Sequence, residues 1–137
     1  MVLCHNGLSF LCHHGDWEIL PYAKEEIIAI KYEDDVLECA CGTGLLTRHI
    51  APVCRHIVAT DFSEKMLERA RRKCLDYGNA SFEYADIFHL DYPDESFDKV
   101  IAANVIHLLD EPLKALSELD RVCRKGGSII ALRVYTA

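Results

Sequence analysis

No apolar run in this chain of 137 residues approaches the roughly 20 residues needed to cross a bilayer. Basic residues are not in excess either: 15 Lys and Arg stand against 22 Asp and Glu, a formal charge of −7. That balance argues against nucleic acid or an anionic membrane as the main partner. A basic leading segment is missing, and His5, Asn6 and Gly7 interrupt the apolar start "MVLCHNGLSFLCHHGD", so no signal peptide is read. CxxC pairs are also lacking, and seven cysteines form an odd, scattered set, which points to reduced thiols in a cytoplasmic protein. No repeat, low-complexity tract or linker divides the chain. Residues 1–137 therefore read as one domain, with an N-terminal segment and helix over 1–33 and a core over 34–137.

What is present is an alternation of short apolar runs with helix-period segments. "PYAKEEIIAIKY" (21–32) predicts a helix with Pro21 in its first turn. "VLECA" reads as strand one, "LLTRHIAPV" as a short helix ended near Pro52, and "HIVATD" (56–61) as strand two. "SEKMLERARRKCLDYG" reads as a helix with Ser63 as N-cap, Gly78 as C-cap and a stripe of Met66, Leu67, Ala70 and Cys74. Its cations interleave with Glu64, Glu68 and Asp76, the pattern of a solvated, ion-paired face. "ASFEYAD" (80–86) and "FDKVIAAN" (97–104) are strands three and four. "EPLKALSELDRVCRKGG" is a helix followed by a glycine pair, and "GSIIALRVY" is strand five. Strands alternating with helices imply an α/β fold, a doubly wound, Rossmann-like, mostly parallel sheet of about five strands.

In such sheets ligands lie beyond the carboxyl ends of strands, where the strand order reverses. Three features sit at such ends. "ACGTG" supplies glycines that free the backbone and remove a blocking Cβ. Asp61 ends strand two, 19 residues after Gly42, where an acid accepts from both hydroxyls of a ribose. Asp86 ends strand three. A dinucleotide fingerprint continues G-x-G-x-x-G, but this sequence reads G-T-G-L-L-T, with Thr47 in the last place. That departure weakens a nicotinamide dinucleotide reading, which stays as an alternative.

Four linked segments, "VLECACGTGLLT", "VATDFSEKMLERAR", "YADIFHLDYPDESFDKVIAANVIHLL" and "ELDRVCRKGGSIIAL", resemble the class I S-adenosylmethionine-dependent methyltransferases, in particular the type 11 domain. The resemblance implies S-adenosylmethionine as cofactor, S-adenosylhomocysteine as product and a small-molecule methyl acceptor. It implies that Glu38 faces the methionine amino group and that Ala40, Gly42 and Gly44 line the methionine and ribose side. Asp61 would take the ribose hydroxyls and Phe62 would lie along the adenine. Asp86 would accept from the adenine amine, with the Ile87 N–H on a ring nitrogen. Asn104 would lie beside the sulfonium end, and His107, near the acceptor side, is the one candidate general base.

Two departures from that family carry expectations. Ala40 stands where the family has glycine, and its methyl group crowds the cofactor, giving weaker binding. The family's sheet continues past strand five with a helix and an antiparallel hairpin, which this sequence lacks before Ala137. The edge over residues 128–135 should then be covered by the N-terminal segment, by further residues or by a second copy, the last a route to a homodimer. A catalytically idle cofactor-binding module, or the partner subunit of another protein, is the alternative to an active enzyme. "CHNGLSFLCHH" holds Cys4, His5, Cys12, His13 and His14 without the paired spacing of zinc sites, so no metal site is assigned. Cys54, Cys74 and Cys123 read as small core residues.

Overall fold

A computed structural model describes residues 2–4, 7–9, 12–14 and 29–135. Three short strands come first: β1 (Val2–Cys4), β2 (Gly7–Ser9) and β3 (Cys12–His14). The core follows as β4 (Asp35–Cys39), α1 (Thr47–Ile50), β5 (His56–Asp61), α2 (Glu64–Lys73) and β6 (Ala80–Tyr84). It closes with β7 (Phe97–Ala103), α3 (Pro112–Val122) and β8 (Cys123–Tyr135). The sheet order is β2-β1-β8-β7-β4-β5-β6, with β3 also on β8. Strands β4 to β8 are mutually parallel, as the alternation of strand and helix patterns predicts. The central strand β4 is flanked by β5 and β7, so the chain winds outward first one way and then the other.

Period-two alternation sends successive side chains to opposite faces, and the helices fill both. Leu37, Val100, Ala102 and Ile129 pack against Leu119 and Val122 of α3. Val36, Ile57, Ile101 and Ile130 pack on the other side with Ile50 of α1 and with Ala51. Ala59 meets Leu67 and Ala70 of α2. Cys54, Cys74 and Cys123 are buried, as expected of small core residues.

The edge of β8 carries the chain's own N-terminal strands. β1 runs antiparallel to it with Leu3 opposite Ile129, and β3 runs parallel to it with His13 opposite Val134. β1 and β2 form an antiparallel pair. Residues 128–135 are thus covered by the N-terminal segment, which a second copy pairing there has to displace.

Some boundaries differ from the sequence expectation. The helix expected over 21–32 lies outside the described residues as far as 28, and 29–34 are turn and irregular backbone. The helix after the glycine turn is a single α turn continued by a 3-10 turn, Ala51–Val53, that accommodates Pro52. Ser63 caps α2 by accepting from Met66 N–H at 3.4 Å, as expected. Gly78 is not the C-cap, because α2 ends at Lys73 with Cys74 in that place. Tertiary bonds set this end: the Cys74 thiol reaches Gly44 O at 3.7 Å, and Asn79 Nδ2 donates to Ala51 O at 2.7 Å. The pair Gly126–Gly127 lies inside β8, at a bulge between the Phe97–Cys123 and Lys99–Ser128 pairings. A Cβ at Gly127 would stand 2.5 Å from Asp98 O, so only glycine lets the two strands approach there.

Candidate functional site

The strand order reverses between β4 and β7, and the chain leaves both strands in the same unusual way. Ala40, directly after β4, has φ 57°, and Asn104, directly after β7, has φ 57°. Gly42 at φ 56° and Gly44 at φ 82° continue the turn after β4. Left-handed backbone at non-glycine residues persists only where the surroundings impose it, and it concentrates at ligand sites. Position 40 thus favours glycine for a backbone reason, in addition to the methyl crowding expected from the sequence.

The two glycines of the turn do different work. A Cβ on Gly42 would meet nothing within 4 Å, so its face is open. A Cβ on Gly44 would press on Cys74 Sγ at 3.1 Å and Ala70 Cβ at 3.2 Å, so Gly44 lets α2 close onto the turn. The turn is tied to β5 by Cys41 N–H on Thr60 O at 2.9 Å and by Gly42 N–H on Asp61 Oδ2 at 2.9 Å. The other Asp61 oxygen accepts Ser63 N–H at 2.9 Å. A carboxylate has about four lone-pair directions, so these two bonds orient Asp61 and leave capacity for two hydroxyl donors.

Phe62 follows with 67% of its surface exposed, and its ring lies 5.1 Å from that of Tyr84, itself 52% exposed. From the sequence Tyr84 reads only as sharing one face of strand three with Phe82, with no role in the site. The signal for it is register, because Tyr84 ends β6 directly opposite Asp61. Asp86 turns its Oδ1 to Phe88 N–H at 2.9 Å, and its carbonyl accepts His89 N–H at 3.0 Å. Ile87, partly buried, packs against the α3-side core, as do Val105 and Ile106. His107 is exposed on the 3-10 turn Ile106–Leu108 that follows β7.

Glu38 is only 1% exposed, on the α1 side of β4. Its Oε1 accepts from Thr47 Oγ1 at 2.6 Å. Burial pushes its pKa up to about 7, the Thr47 hydroxyl opposes the shift, and the Asp61 charge adds to it. The thiols beside it are held protonated by burial, which pushes Cys39 up to about 12 and raises Cys41 as well. Among the described residues no group of three or more His, Cys, Asp or Glu is placed to hold a metal, and no helix is long and apolar enough to cross a membrane. The side chains of Cys4, His5, Cys12, His13 and His14 lie outside the described residues.

Residues 37–131 match the methyltransferase domain family. The chain belongs to the S-adenosylmethionine-dependent methyltransferases. It is 42% identical over 106 residues to phosphatidylethanolamine N-methyltransferase of Cereibacter sphaeroides, covering 73% of this chain and 50% of that protein. It is 38% identical over 133 residues to the ubiquinone/menaquinone biosynthesis C-methyltransferase UbiE of Bdellovibrio bacteriovorus, covering 93% of this chain and 54% of that one. The crystal structure of a SAM-dependent methyltransferase from Aquifex aeolicus superimposes with a TM-score of 0.69 at 26% identity, covering 80% of this chain and 63% of that chain. The chain spans about half the length of the curated relatives it matches.

The residues present fit the methyltransferase cofactor, S-adenosylmethionine. Gly42 leaves an open backbone face, Asp61 keeps free acceptor capacity, and Phe62 and Tyr84 expose ring surface at the adjoining strand end. Thr47 fills the position where close packing of a dinucleotide-type helix on its strand calls for glycine or alanine.

Proposed function

We propose that this domain binds S-adenosylmethionine over the carboxyl ends of β4, β5 and β6 and transfers its methyl group to a small-molecule acceptor. The observation that carries the reading is Asp61, oriented by Gly42 N–H and Ser63 N–H at 2.9 Å each and beside an open glycine face. Asp61 accepts from the ribose hydroxyls. Phe62 lies along the adenine, Asp86 accepts from its amine and Ile87 N–H donates to a ring nitrogen. Ala40, Gly42 and Gly44 line the methionine and ribose side, and Glu38 faces the amino group. Asn104, held at the turn after β7, borders the methyl-donor end.

The chemistry that the bound cofactor supplies is a methyl group on a sulfonium, an electrophile that needs no further activation. What the protein adds is placement of the acceptor in line and exclusion of water. His107 takes a proton from the acceptor where its chemistry requires one. The two curated relatives above are named for phosphatidylethanolamine and for ubiquinone/menaquinone biosynthesis, which supports a small acceptor rather than a polymer. The net charge of −7 also favours a small molecule over nucleic acid or an anionic membrane. Five buried free thiols among the described residues support a reducing, cytoplasmic setting. A homodimer through residues 128–135 requires β1 and β3 to give way to the second copy.

Calorimetric titration with S-adenosylhomocysteine and with NAD tests the cofactor. Binding of the first and not the second is expected, and binding of NAD alone overturns the reading. Transfer of label from S-adenosylmethionine across a panel of small acceptors tests the reaction. Cofactor binding with no turnover on any acceptor, including demethylated quinones and ethanolamine lipids, leaves an idle binding module.

A further inference from the structure

Thr47 entered the sequence only as a misfit to a dinucleotide fingerprint. In the structure it is fully buried, in the first turn of α1, and its hydroxyl donates to Glu38 Oε1 at 2.6 Å across a gap of nine residues. Glu38 is the next-to-last residue of β4, so this one bond spans the whole glycine turn at its base. Other ties act further along, among them Cys41 N–H on Thr60 O, Gly42 N–H on Asp61, Gly44 N–H on Cys41 O at 3.0 Å, and the Cys74 thiol on Gly44 O. Without Thr47 the Glu38 carboxyl would lose its side-chain donor in an apolar setting, beside Ala59 and Ile101 of the neighbouring strands. The groups acting on Glu38 are few. Thr47 donates from α1 and Asp61 repels from the end of β5, while Cys39, Cys41 and Cys74 respond to the Glu38 charge with protonated thiols.

The geometry points to Thr47 as a positioning residue that closes the base of the cofactor turn, holding residues 40–46 in the shape that presents Gly42 to the ligand. This rests on the cofactor reading above and deepens it. A hydroxyl at this place is what matters, so Thr47→Ser retains the function and Thr47→Val, equal in shape, loses it.

Calorimetry with S-adenosylhomocysteine at neutral pH is expected to show binding about tenfold weaker in Thr47→Val and close to wild type in Thr47→Ser. The pH dependence of unfolding, measured without cofactor, gives a second readout. Loss of the donor disfavours ionised Glu38, so the midpoint of its titration moves to higher pH in Thr47→Val and stays in place in Thr47→Ser. Equal affinity of Thr47→Val and wild type overturns the proposal, as does an unmoved midpoint. Should Thr47→Val not fold, Thr47→Ala carries the test against Thr47→Ser: binding about tenfold weaker in Thr47→Ala and close to wild type in Thr47→Ser supports the proposal, and equal affinity of Thr47→Ala and wild type overturns it. Failure of the wild type itself to bind S-adenosylhomocysteine overturns the cofactor reading instead, and the midpoint shift then decides the Thr47–Glu38 bond alone.

Discussion

The two ends of the same strands treat their acids in opposite ways. At the amino ends Asp34, Asp35 and Asp98 each face a cation. Asp34 lies 3.4 Å from Lys99, Asp35 pairs with Arg55, and Arg124 grips both oxygens of Asp98 at 2.9 Å while reaching Asp35 at 3.6 Å. Asp98 in turn accepts Asp35 N–H at 2.8 Å, so β4, β7 and β8 are stitched together where the strands begin. At the carboxyl ends Glu38, Asp61 and Asp86 accept only from a hydroxyl and from backbone N–H groups. Two of the three left-handed non-glycine residues among the described residues, Ala40 and Asn104, and the exposed rings of Phe62 and Tyr84 lie at this end, while the third, Glu95, precedes β7 at the other. Acids neutralised within the fold stabilise it, whereas acids oriented but not neutralised are available to a ligand.

The sharpest break of this contrast comes from Glu38. Its carboxyl titrates near 7 in the folded protein against an ordinary 4.5, so the folded state holds a proton that the unfolded chain has released. Stability then falls as pH rises from about 4.5 to about 7 and levels off above, by on the order of 3 kcal/mol. Glu38→Gln should remove that slope, read by urea unfolding across the pH range. An unchanged slope would mean that Glu38 is ionised in the fold.

Next in size, Asp61→Ala should weaken S-adenosylhomocysteine binding about 100-fold, since two charge-assisted bonds are lost. An unchanged dissociation constant would remove Asp61 from the ribose. Its counterpart at the amino end, Asp98→Ala, should do the reverse. It should cost about 1–2 kcal/mol in urea unfolding, with cofactor affinity within about twofold, because Arg124 and Asp35 N–H lose a shared, half-exposed partner. The smallest effect belongs to Ala40→Gly, which should raise stability by about 1 kcal/mol by relieving a left-handed alanine. A loss of stability there would show that the turn is not strained.

Local pattern was enough for much of this. β5 covers His56–Asp61 as read, because an apolar run closed by an acid defines both a strand and its carboxyl end. Ser63 caps α2 because its hydroxyl needs only a backbone N–H three residues on. The glycine turn and the acid after strand two were legible for the same reason, since spacing along the chain fixes both. Other features depend on partners distant in sequence. Gly78 looked like a helix stop, yet Cys74 and Asn79 set the end by bonds to the neighbouring turn and connection. Gly126 and Gly127 looked like a helix terminus and serve a bulge against β7.

Residue order alone therefore dictated the alternating α/β architecture, the strand that ends in Asp61 and the open glycine turn, because periodicity and turn chemistry act within a few residues. Tertiary contact decided which acid is neutralised and which is left for a ligand. It also decided that Thr47 meets Glu38 and Tyr84 meets Phe62, and that the N-terminal strands lie on β8. Each of these depends on groups brought together only after the sheet has assembled, where burial and register, rather than spacing in the chain, choose the partner.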